Sequence, residues 1–563
     1  MKSIFFRSLL FFFIFCFIHC SFGDSNVAQL FREVLPQRFD QPAEIRAWEN
    51  HDEMIDVLTK MPRRLFQKSG PGPDGDRYFE FIPLWMASLY PGGWANWSSP
   101  CFLDNSAQVT VSEVGFVVDL KTGSLRQPSS SPVFFEGKAA EPLHRSACSD
   151  LYLIATRQSW FLRRINQSSN SEYENLVASE GWLPTEYDYV QQYGVQVFLI
   201  QGGVVGFIED LVKTALFLFS AQEEQDSIQF LQDYVGWTLE PRNLSVTTII
   251  PSVTEVQSGD YLAFFKFGPP NGGWNSMEAY GTGGHCDHAA VILEIDGEKY
   301  VTESIGGGGN YPGGPQGIIA TPYAAWMENL RVNHTAWLVN LLRLSKSSQS
   351  RWNQQAAEQF FKSVQGNPYG FNNYIFGWID TVNANYPPPL SAPLLPILFT
   401  LMDKIDYNAS WMMWGQALNH RVNNTGPYLD MNGIFELIEP QNISFYDLMT
   451  VPEQDSWRYG PEQLPSLVCD VYVMAVYNAA GIFDPQLDFS YTEMTPFDSY
   501  SLNLYAGLGE WRQPVGCAND QLYCQISGKY YLTMPGVNQV APYSSMFNTC
   551  PGLPQEYYRP PGC

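Results

Sequence analysis

The chain has 563 residues, and its composition already excludes several classes of protein. Hydrophobic residues make up 45% of it and charged residues 16%, which is typical of a globular chain with large cores and not of a disordered one. A formal net charge of −25 argues against nucleic acid as a partner, because so acidic a body repels phosphate backbones. The aromatic content of 15% is high and favours surfaces that contact carbohydrate, lipid or peptide.

The first 23 residues have the layout of a secretory signal peptide. Lys2 and Arg7 form a basic region, residues 9–18 an apolar core, and residues 21–23 (Ser-Phe-Gly) a small-x-small cleavage site. The apolar core is short for a membrane span, and charges interrupt the later apolar run at 195–220. We therefore expect no transmembrane span after signal removal, with an uncleaved anchor as the alternative. The expected location is outside the cell or in an endomembrane lumen such as a lysosome or vacuole.

Asn-x-Ser/Thr sequons are consistent with the secretory route, although such triplets also arise by chance. The glycosylation candidates are Asn96, Asn166, Asn243, Asn333, Asn408, Asn423 and Asn442.

Eight cysteines remain once Cys16 and Cys20 leave with the signal. Four of them lie in the last 47 residues, which predicts a tail held by disulfides in an oxidising compartment. The disulfide candidates are Cys101, Cys148, Cys517, Cys524, Cys550 and Cys563, with the first two forming a plausible pair. Cys286 and Cys469 are either bonded to each other or both free.

Cys469 falls near the start of a predicted helix within residues 465–481 (PSLVCDVYVMAVYNAAG). Ser466 is a suitable N-cap and Gly481 a suitable residue after the last turn. In the first turn, the unpaired backbone N–H groups and the helix dipole favour a thiolate over a thiol. A small buried residue on an amphipathic helix is the ordinary alternative.

Residues 283–304 (GGHCDHAAVILEIDGEKYVTES) predict a β-hairpin that places a histidine beside a carboxylate. If Asp296-Gly297 is the turn, antiparallel partners have residue numbers that sum to about 593. His288 and Glu303 then lie on one face of the hairpin, diagonal to each other and within reach. A base with a carboxylate to orient its imidazole supplies two of the three groups of a nucleophilic site.

Other residues near this hairpin give weaker signals. His285 and His288 form an HxxH spacing in a loop-to-strand segment, which is a weak metal signature, so we expect no metal. Cys286 has no helix terminus to lower its pKa. The glycine-rich loop at 306–315 is well placed to border the cleft, but it lacks the strand, helix and lysine context of a phosphate site. No cofactor is expected.

Five short motifs together resemble a known family. In chain order they are SGDYLAF at 258–264, HAAVI at 288–292, YVTES at 300–304, GNPYGF at 366–371 and VCD at 468–470. This order is similar to that of the circularly permuted papain-like cysteine hydrolases, the NlpC-type superfamily that includes lecithin:retinol acyltransferase-like proteins. The resemblance covers residues 255–485, and its long spacing between Tyr369 and Cys469 departs from compact members.

The resemblance implies a role for each matching residue. Cys469 would be the nucleophile, His288 the general base and Glu303 the residue that orients it, while Tyr369 matches an aromatic position near the site. The implied fold is α+β, with an antiparallel sheet packed on the cysteine-bearing helix.

The expected organisation has four parts. After the signal peptide (1–23) come an N-terminal accessory α/β domain (24–250), the permuted papain-like domain (251–485) and a Cys-rich, disulfide-stapled tail (486–563). An insertion at 386–465 begins with a proline-rich connector and carries Trp411 and Trp414, which we assign to substrate binding if this insertion is a lid. An additional core helix is the alternative, and a lid would favour an acyl or other apolar substrate.

The predicted function is a secreted or lumenal cysteine hydrolase or acyltransferase that attacks an amide, ester or thioester carbonyl. The substrate would be a small molecule, a peptide or a lipid. A catalytically inactive binding module that retains the fold is the alternative. In the enzyme, a thiolate–imidazolium pair would lower the pKa of Cys469 and raise that of His288.

Overall fold

The computed structural model of the protein describes residues between 84 and 542, with gaps. The longer gaps fall at 122–133, 140–148, 167–173, 179–186, 201–216, 218–223, 307–315 and 380–398, and shorter gaps of up to five residues lie elsewhere. The predicted signal peptide, the proline-rich connector, most of the glycine-rich loop and the cysteines at 101, 148, 550 and 563 lie outside the described residues.

The described part of the N-terminal region is built from antiparallel strands. The strands are β1 (Leu84–Leu89), β2 (Trp94–Trp97), β3 (Asn105–Ser112), β4 (Gly115–Lys121), β5 (Phe134–Phe135), β6 (Lys138–Ala139), β7 (Ser149–Ala155), β8 (Trp160–Asn166), β9 (Glu174–Ala178) and β10 (Val195–Ile200). They form two four-stranded sheets, β1-β10-β7-β8 and β2-β3-β4-β9, and the hairpin β5-β6. Alternate residues such as Val109, Val118 and Val197 are buried in a core of their own.

A six-stranded antiparallel sheet forms the centre of the second region. Its strands are β11 (Tyr261–Lys266), β12 (His288–Ile295), β13 (Glu298–Ile305), β14 (Gly317–Pro322), β15 (Trp337–Leu342) and β16 (Cys524–Ser527). They are ordered β14-β13-β12-β11-β15-β16. The protein is thus α+β with antiparallel sheets, as predicted at this level.

Helices pack around this sheet. They are α1 (Glu224–Phe230), α2 (Gly272–Thr282), α3 (Tyr323–Asn333), α4 (Lys346–Arg351), α5 (Gln354–Val364), α6 (Tyr374–Ile379), α7 (Tyr407–Ser410), α8 (Gln416–Arg421), α9 (Met431–Ile438), α10 (Cys469–Ala479) and α11 (Pro496–Ser501). Two π-helical turns (Leu231–Val235, Trp411–Gly415) and two 3₁₀ turns (Phe371–Asn373, Glu439–Gln441) complete the set. No helix among the described residues is long and apolar enough to cross a membrane.

The β12–β13 hairpin has the predicted register. Val291 pairs with Thr302, so the residue numbers of partners sum to 593. Asp296 and Gly297 both have positive φ, of 52° and 85°, which is the conformation of a two-residue type I′ turn. The Asp-Gly prediction is confirmed.

Each face of the six-stranded sheet is covered by a different helix. On β12, Ala290 and Ile292 pack with Trp326 of α3. The intervening residues Ala289 and Val291 pack in the core that contains α10. Because successive side chains of a strand point to opposite faces, odd and even positions of β12 face different helices.

The C-terminal segment belongs to the same core. β16 pairs with β15 at the edge of the six-stranded sheet, and Tyr500 and Met534 are buried in the core of α10. The predicted disulfide framework is confirmed at Cys517–Cys524, whose Cα atoms are 5.5 Å apart. The core also starts earlier than residue 251, since Leu231 and Trp237 contribute to it.

Candidate active site

His288 and Glu303 meet on the face of the sheet that α3 covers. The His288 Nε2 atom lies 2.9 Å from Glu303 Oε2, and both side chains are buried. The other carboxylate oxygen of Glu303 accepts a hydrogen bond of 3.3 Å from the indole N–H of Trp326. The imidazole lies against Phe264 of β11, with ring centroids 5.1 Å apart. The ring is thereby fixed through one nitrogen, as the hairpin register predicts.

Cys469 is the first residue of α10, on the opposite face of the sheet. The predicted N-cap was wrong: Val468 occupies that position without a side-chain cap. The hydroxyl of Ser466 instead donates to the carbonyl of Gly370 at 2.9 Å, which fixes the strand-like approach to the helix. Gly481, with φ of 78°, follows the helix end as predicted.

The thiol of Cys469 is buried among polar groups. Its Sγ atom lies 3.3 Å from Asp470 Oδ1 and 4.0 Å from the hydroxyl of Tyr369. The backbone N–H of Ala289, the residue after His288, lowers the pKa of this thiol, against the larger opposing effects of burial and of nearby carboxyls. Cys469 and Cys286 are both free thiols, so they are not bonded to each other.

The structure does not join Cys469 to the histidine by a hydrogen bond. The His288 ring lies on the α3 face with Phe264, whereas α10 packs on the face of Ala289. The sulfur is nonetheless close to the backbone between His288 and Ala289. Since Nε2 is held by Glu303, the nitrogen that remains for Cys469 is Nδ1, the ring nitrogen nearer the backbone.

The ionisation of the two groups differs from the sequence-based expectation. Burial raises the pKa of the Cys469 thiol well above its ordinary value, and the nearby carboxyls of Asp470 and Glu278 raise it further. Burial also lowers the pKa of His288 to about 4, helped by the positive charge of Lys266. The expected thiolate–imidazolium pair was therefore wrong for this resting state, because desolvation disfavours both charges when the two groups are not in contact.

Tyr369 lies where the resemblance placed an aromatic residue, and glycines allow its close packing. A Cβ atom on Gly306 would lie 2.9 Å from the ring of Phe371 and 3.1 Å from that of Tyr369. A Cβ on Gly370 would lie 2.2 Å from the backbone nitrogen of Leu467. Position 370 requires glycine because its neighbours are backbone atoms, whereas at position 306 the ring of Phe371 would have to shift. The segment at 366–371 therefore packs directly against the approach to Cys469.

The two tryptophans assigned to substrate binding have different surroundings. Trp414 is buried and stacks on Phe399, with ring centroids 4.3 Å apart. Trp411 is half-buried and lies edge-on to Tyr428 at 6.2 Å. Trp414 has the position of a core residue, as in the alternative of an additional core helix.

Three of the predicted glycosylation sites have exposed side chains in the structure. These are Asn96, Asn408 and Asn423. The remaining sequons fall on residues whose side chains are not described.

The residues that sequence reasoning set aside lie elsewhere. The ring of His285 stacks on Trp237 at 4.2 Å, and its Nδ1 atom lies 2.8 Å from the carbonyl oxygen of Thr533. Cys286 is fully buried in the core. Among the described residues, no group of three or more His, Cys, Asp or Glu side chains is arranged to hold a metal ion.

Several polar residues beside Cys469 carried no signal in the sequence. Glu278 of α2 accepts a hydrogen bond of 2.8 Å from the hydroxyl of Tyr374, which accepts one of 2.9 Å from Trp274. Asn373 is buried in the turn before α6. These residues come together only through packing between distant elements.

Comparison with protein-family models, with curated proteins and with solved structures finds no match.

Proposed function

We propose that the protein is a cysteine hydrolase or acyltransferase with a permuted papain-like core. Cys469 is the nucleophile, His288 the general base and Glu303 the residue that orients it. The observation that carries the proposal is the buried His288–Glu303 pair, with Nε2 and Oε2 2.9 Å apart, next to Ala289, whose backbone N–H is near enough to the Cys469 sulfur to lower the thiol pKa. Chain order supports the family: the histidine strand, the glutamate strand, the Tyr369 segment and then the cysteine helix.

The reaction can start from the uncharged thiol of Cys469 and the uncharged imidazole of His288. A neutral imidazole is already competent as a base, so His288 takes the thiol proton through Nδ1 as sulfur attacks the carbonyl carbon. The tetrahedral adduct collapses to an acyl-enzyme when His288 returns this proton to the leaving amine or alkoxide. Water or another acceptor then attacks the thioester carbonyl and frees the thiol. Glu303 accepts from Nε2–H throughout and stabilises the imidazolium that forms in each half-reaction.

A productive complex needs Sγ and Nδ1 to come within hydrogen-bonding distance. Catalytic hydrogen bonds are often long in unliganded enzymes and tighten when substrate binds. The signal-peptide pattern and the disulfide support action outside the cytosol, in the extracellular space or an endomembrane lumen.

An inactive binding module is the second candidate, and one observation favours it. Cys469 is buried and its thiol pKa is raised, and the sulfur makes no hydrogen bond to the histidine, although both side chains are described. Such a thiol has the surroundings of a structural cysteine.

Acylation of Cys469 by a small activated ester separates these candidates. We expect p-nitrophenyl acetate to give a burst of p-nitrophenolate and an acetyl group that peptide mass spectrometry locates on Cys469. Cys469→Ala abolishes the burst, whereas Cys286→Ala, the change at the other buried free thiol, preserves it. Absence of acyl-enzyme, with correct folding shown by circular dichroism, would establish the binding module instead.

A further inference from the structure

A small acidic pocket lies beside the nucleophile. Its polar lining includes Glu278, Asn373, Asp470 and Glu493. The cavity has a volume of about 10 Å³, which is room for roughly one water-sized group. Val468 and Val471 also line it, so the pocket borders the start of α10. Cys469 is not one of the lining residues; Asp470 connects the two, because it lines the pocket and its Oδ1 atom lies 3.3 Å from the sulfur.

Two oxygen atoms of this pocket lack hydrogen-bond donors. Asp470 Oδ2 and Asn373 Oδ1 are buried without a partner, in side chains that are 2% and 4% exposed. The amide nitrogen of Asn373 donates to the carbonyl of Thr492, so only its carbonyl oxygen is left over. Buried acceptors without donors are rare because each costs about 1–3 kcal/mol. The pocket therefore has the surroundings of a site for a donor-rich group.

The charges of the pocket point to a cation. Glu493 is compensated by the guanidinium of Arg421, at 2.9 Å. Among the described residues no basic side chain forms an ion pair with Glu278 or Asp470, although Lys266 attracts Glu278 from further away. Burial holds the pKa of each carboxyl well above its ordinary value. A bound cation would favour ionisation of these carboxyls and remove the cost of burying them.

We propose that this pocket binds a primary ammonium group of the substrate, a few bonds from the carbonyl that Cys469 attacks. A primary ammonium is water-sized and carries three N–H donors, which match the free oxygens of Asp470 and Asn373 together with the carboxylate of Glu278. The inference rests on the proposed function and narrows its substrate to amides or esters of amino acids and peptides with a free amino group.

The α-amino group is the assigned source, in preference to the side-chain ammonium of a lysine. Asp470 Oδ1 lies only 3.3 Å from Cys469 Sγ, so an ammonium held by the same carboxylate is close to the sulfur. The five carbons, Cα to Cε, that separate the carbonyl from the ammonium in a lysine residue would overshoot this distance.

Matched alkylating probes test the inference without a known substrate. 1-Amino-3-chloropropan-2-one carries an ammonium two bonds from its carbonyl carbon, as an α-amino acid does, and 1-chloro-3-hydroxypropan-2-one is its neutral counterpart. In each case the thiolate forms a C–S bond, chloride leaves and the thiol proton passes to solvent. We expect the amine probe to label Cys469 at least about tenfold faster than the hydroxyl probe, since charge-assisted hydrogen bonds are about twice as strong as neutral ones. The 5-aminopentyl chloromethyl ketone, which has the carbonyl-to-ammonium spacing of a lysine side chain, is expected to show a smaller preference.

Substitutions inside and outside the pocket test whether the pocket causes the preference for the amine probe. Glu278→Gln should bring the amine-to-hydroxyl ratio close to one, and Tyr374→Phe should lower it by removing the hydroxyl that positions Glu278. Glu358→Gln, the same change on α5 outside the pocket, should leave it unchanged. Equal labelling of the wild type by both short probes overturns the ammonium site and leaves the nucleophile in place. Strongest preference for the pentyl probe overturns the α-amino assignment, and no labelling of Cys469 by either short probe overturns the proposed function as well.

Discussion

The two faces of the six-stranded sheet hold the two halves of the candidate site in different states. On the α3 face, His288, Glu303 and Trp326 form a closed set in which both carboxylate oxygens have partners. On the α10 face, Cys469 and Asp470 are buried beside atoms that lack donors. The proposed base is already held in place without substrate, whereas the proposed nucleophile and its pocket are not.

This difference indicates where substrate binding has to act. The hydrogen bond between His288 and Glu303 is already formed without substrate. The thiol, by contrast, has a raised pKa because burial and the carboxyls of Asp470 and Glu278 disfavour its charge. A cationic substrate group would reverse part of that effect and bring the two faces into one site.

Replacing His288 has the largest expected effect on activity. It also tests whether His288 and Cys469 interact before substrate binds. His288→Ala should lower kcat/KM for an activated ester by about 10²–10⁴-fold, the usual contribution of a general base. Because no hydrogen bond joins His288 to Cys469 in the resting structure, the pH at which iodoacetamide labels Cys469 should not change. A higher labelling pH in the variant would mean that a resting ion pair exists and that the faces are already coupled.

Gly370→Ala should break the attachment of the cysteine helix to its neighbouring segment. The added methyl would lie 2.2 Å from the Leu467 nitrogen, a backbone atom that cannot swing away. We expect a loss of about 3 kcal/mol in the free energy of unfolding, measured by urea titration, with a lower rate of Cys469 acylation. Gly507→Ala is the matched control, since nothing lies within 4 Å of its Cβ position. A stability loss equal to that of the control would remove the argument that this glycine positions Cys469.

The sequence was sufficient for the features that depend on local pattern. The Asp296-Gly297 turn and the alternation of β12 predicted the register, and the register brought His288 to Glu303. Gly481 predicted the helix end because only a residue tolerant of positive φ suits that position.

Features that depend on tertiary packing were missed. Ser466 looked like a helix cap, but Gly370, about a hundred residues away, provides a competing partner for its hydroxyl. The pKa directions depended on burial and on which face α10 covers, neither of which periodicity reveals. Glu278 reaches the site from a helix whose sequence carries no catalytic pattern.

Ser304→Ala tests a second link between the sheet and the cysteine helix. The Ser304 hydroxyl, on the α10 face of β13, donates to the carbonyl of Leu467 at 2.7 Å, two residues before Cys469. The Leu467 carbonyl keeps a second hydrogen bond, from the Gly370 N–H at 3.2 Å, so the free energy of unfolding should fall by only about 1 kcal/mol, the net contribution of one hydrogen bond. Ser350→Ala, at an exposed position of α4, should change it far less. Equal changes in denaturant titrations would show that this link does not hold the helix.

The smallest expected effect concerns the α3 face alone and is a shift in pH dependence. The neutral imidazole is the active form, and the pKa of His288 is lowered to about 4, by burial first and by Lys266 second. Activity should therefore be retained on acidification until about pH 4 and be lost below it, as expected for an acidic lumen. Lys266→Met removes a charge that disfavours the imidazolium, so the acid limb of kcat/KM should move to higher pH. Lys362→Met, on the exposed surface of α5, should leave it in place.

The free energy of unfolding should depend on pH through the same imidazole. The unfolded chain binds this proton at higher pH than the folded chain does, so His288 lowers stability as the pH falls from about 6.5 to about 4. Raising the pKa narrows the window, so Lys266→Met should lose less stability between pH 7 and 4 than the wild type loses. An acid limb that does not move in this variant would mean that the acid limb does not report the titration of His288.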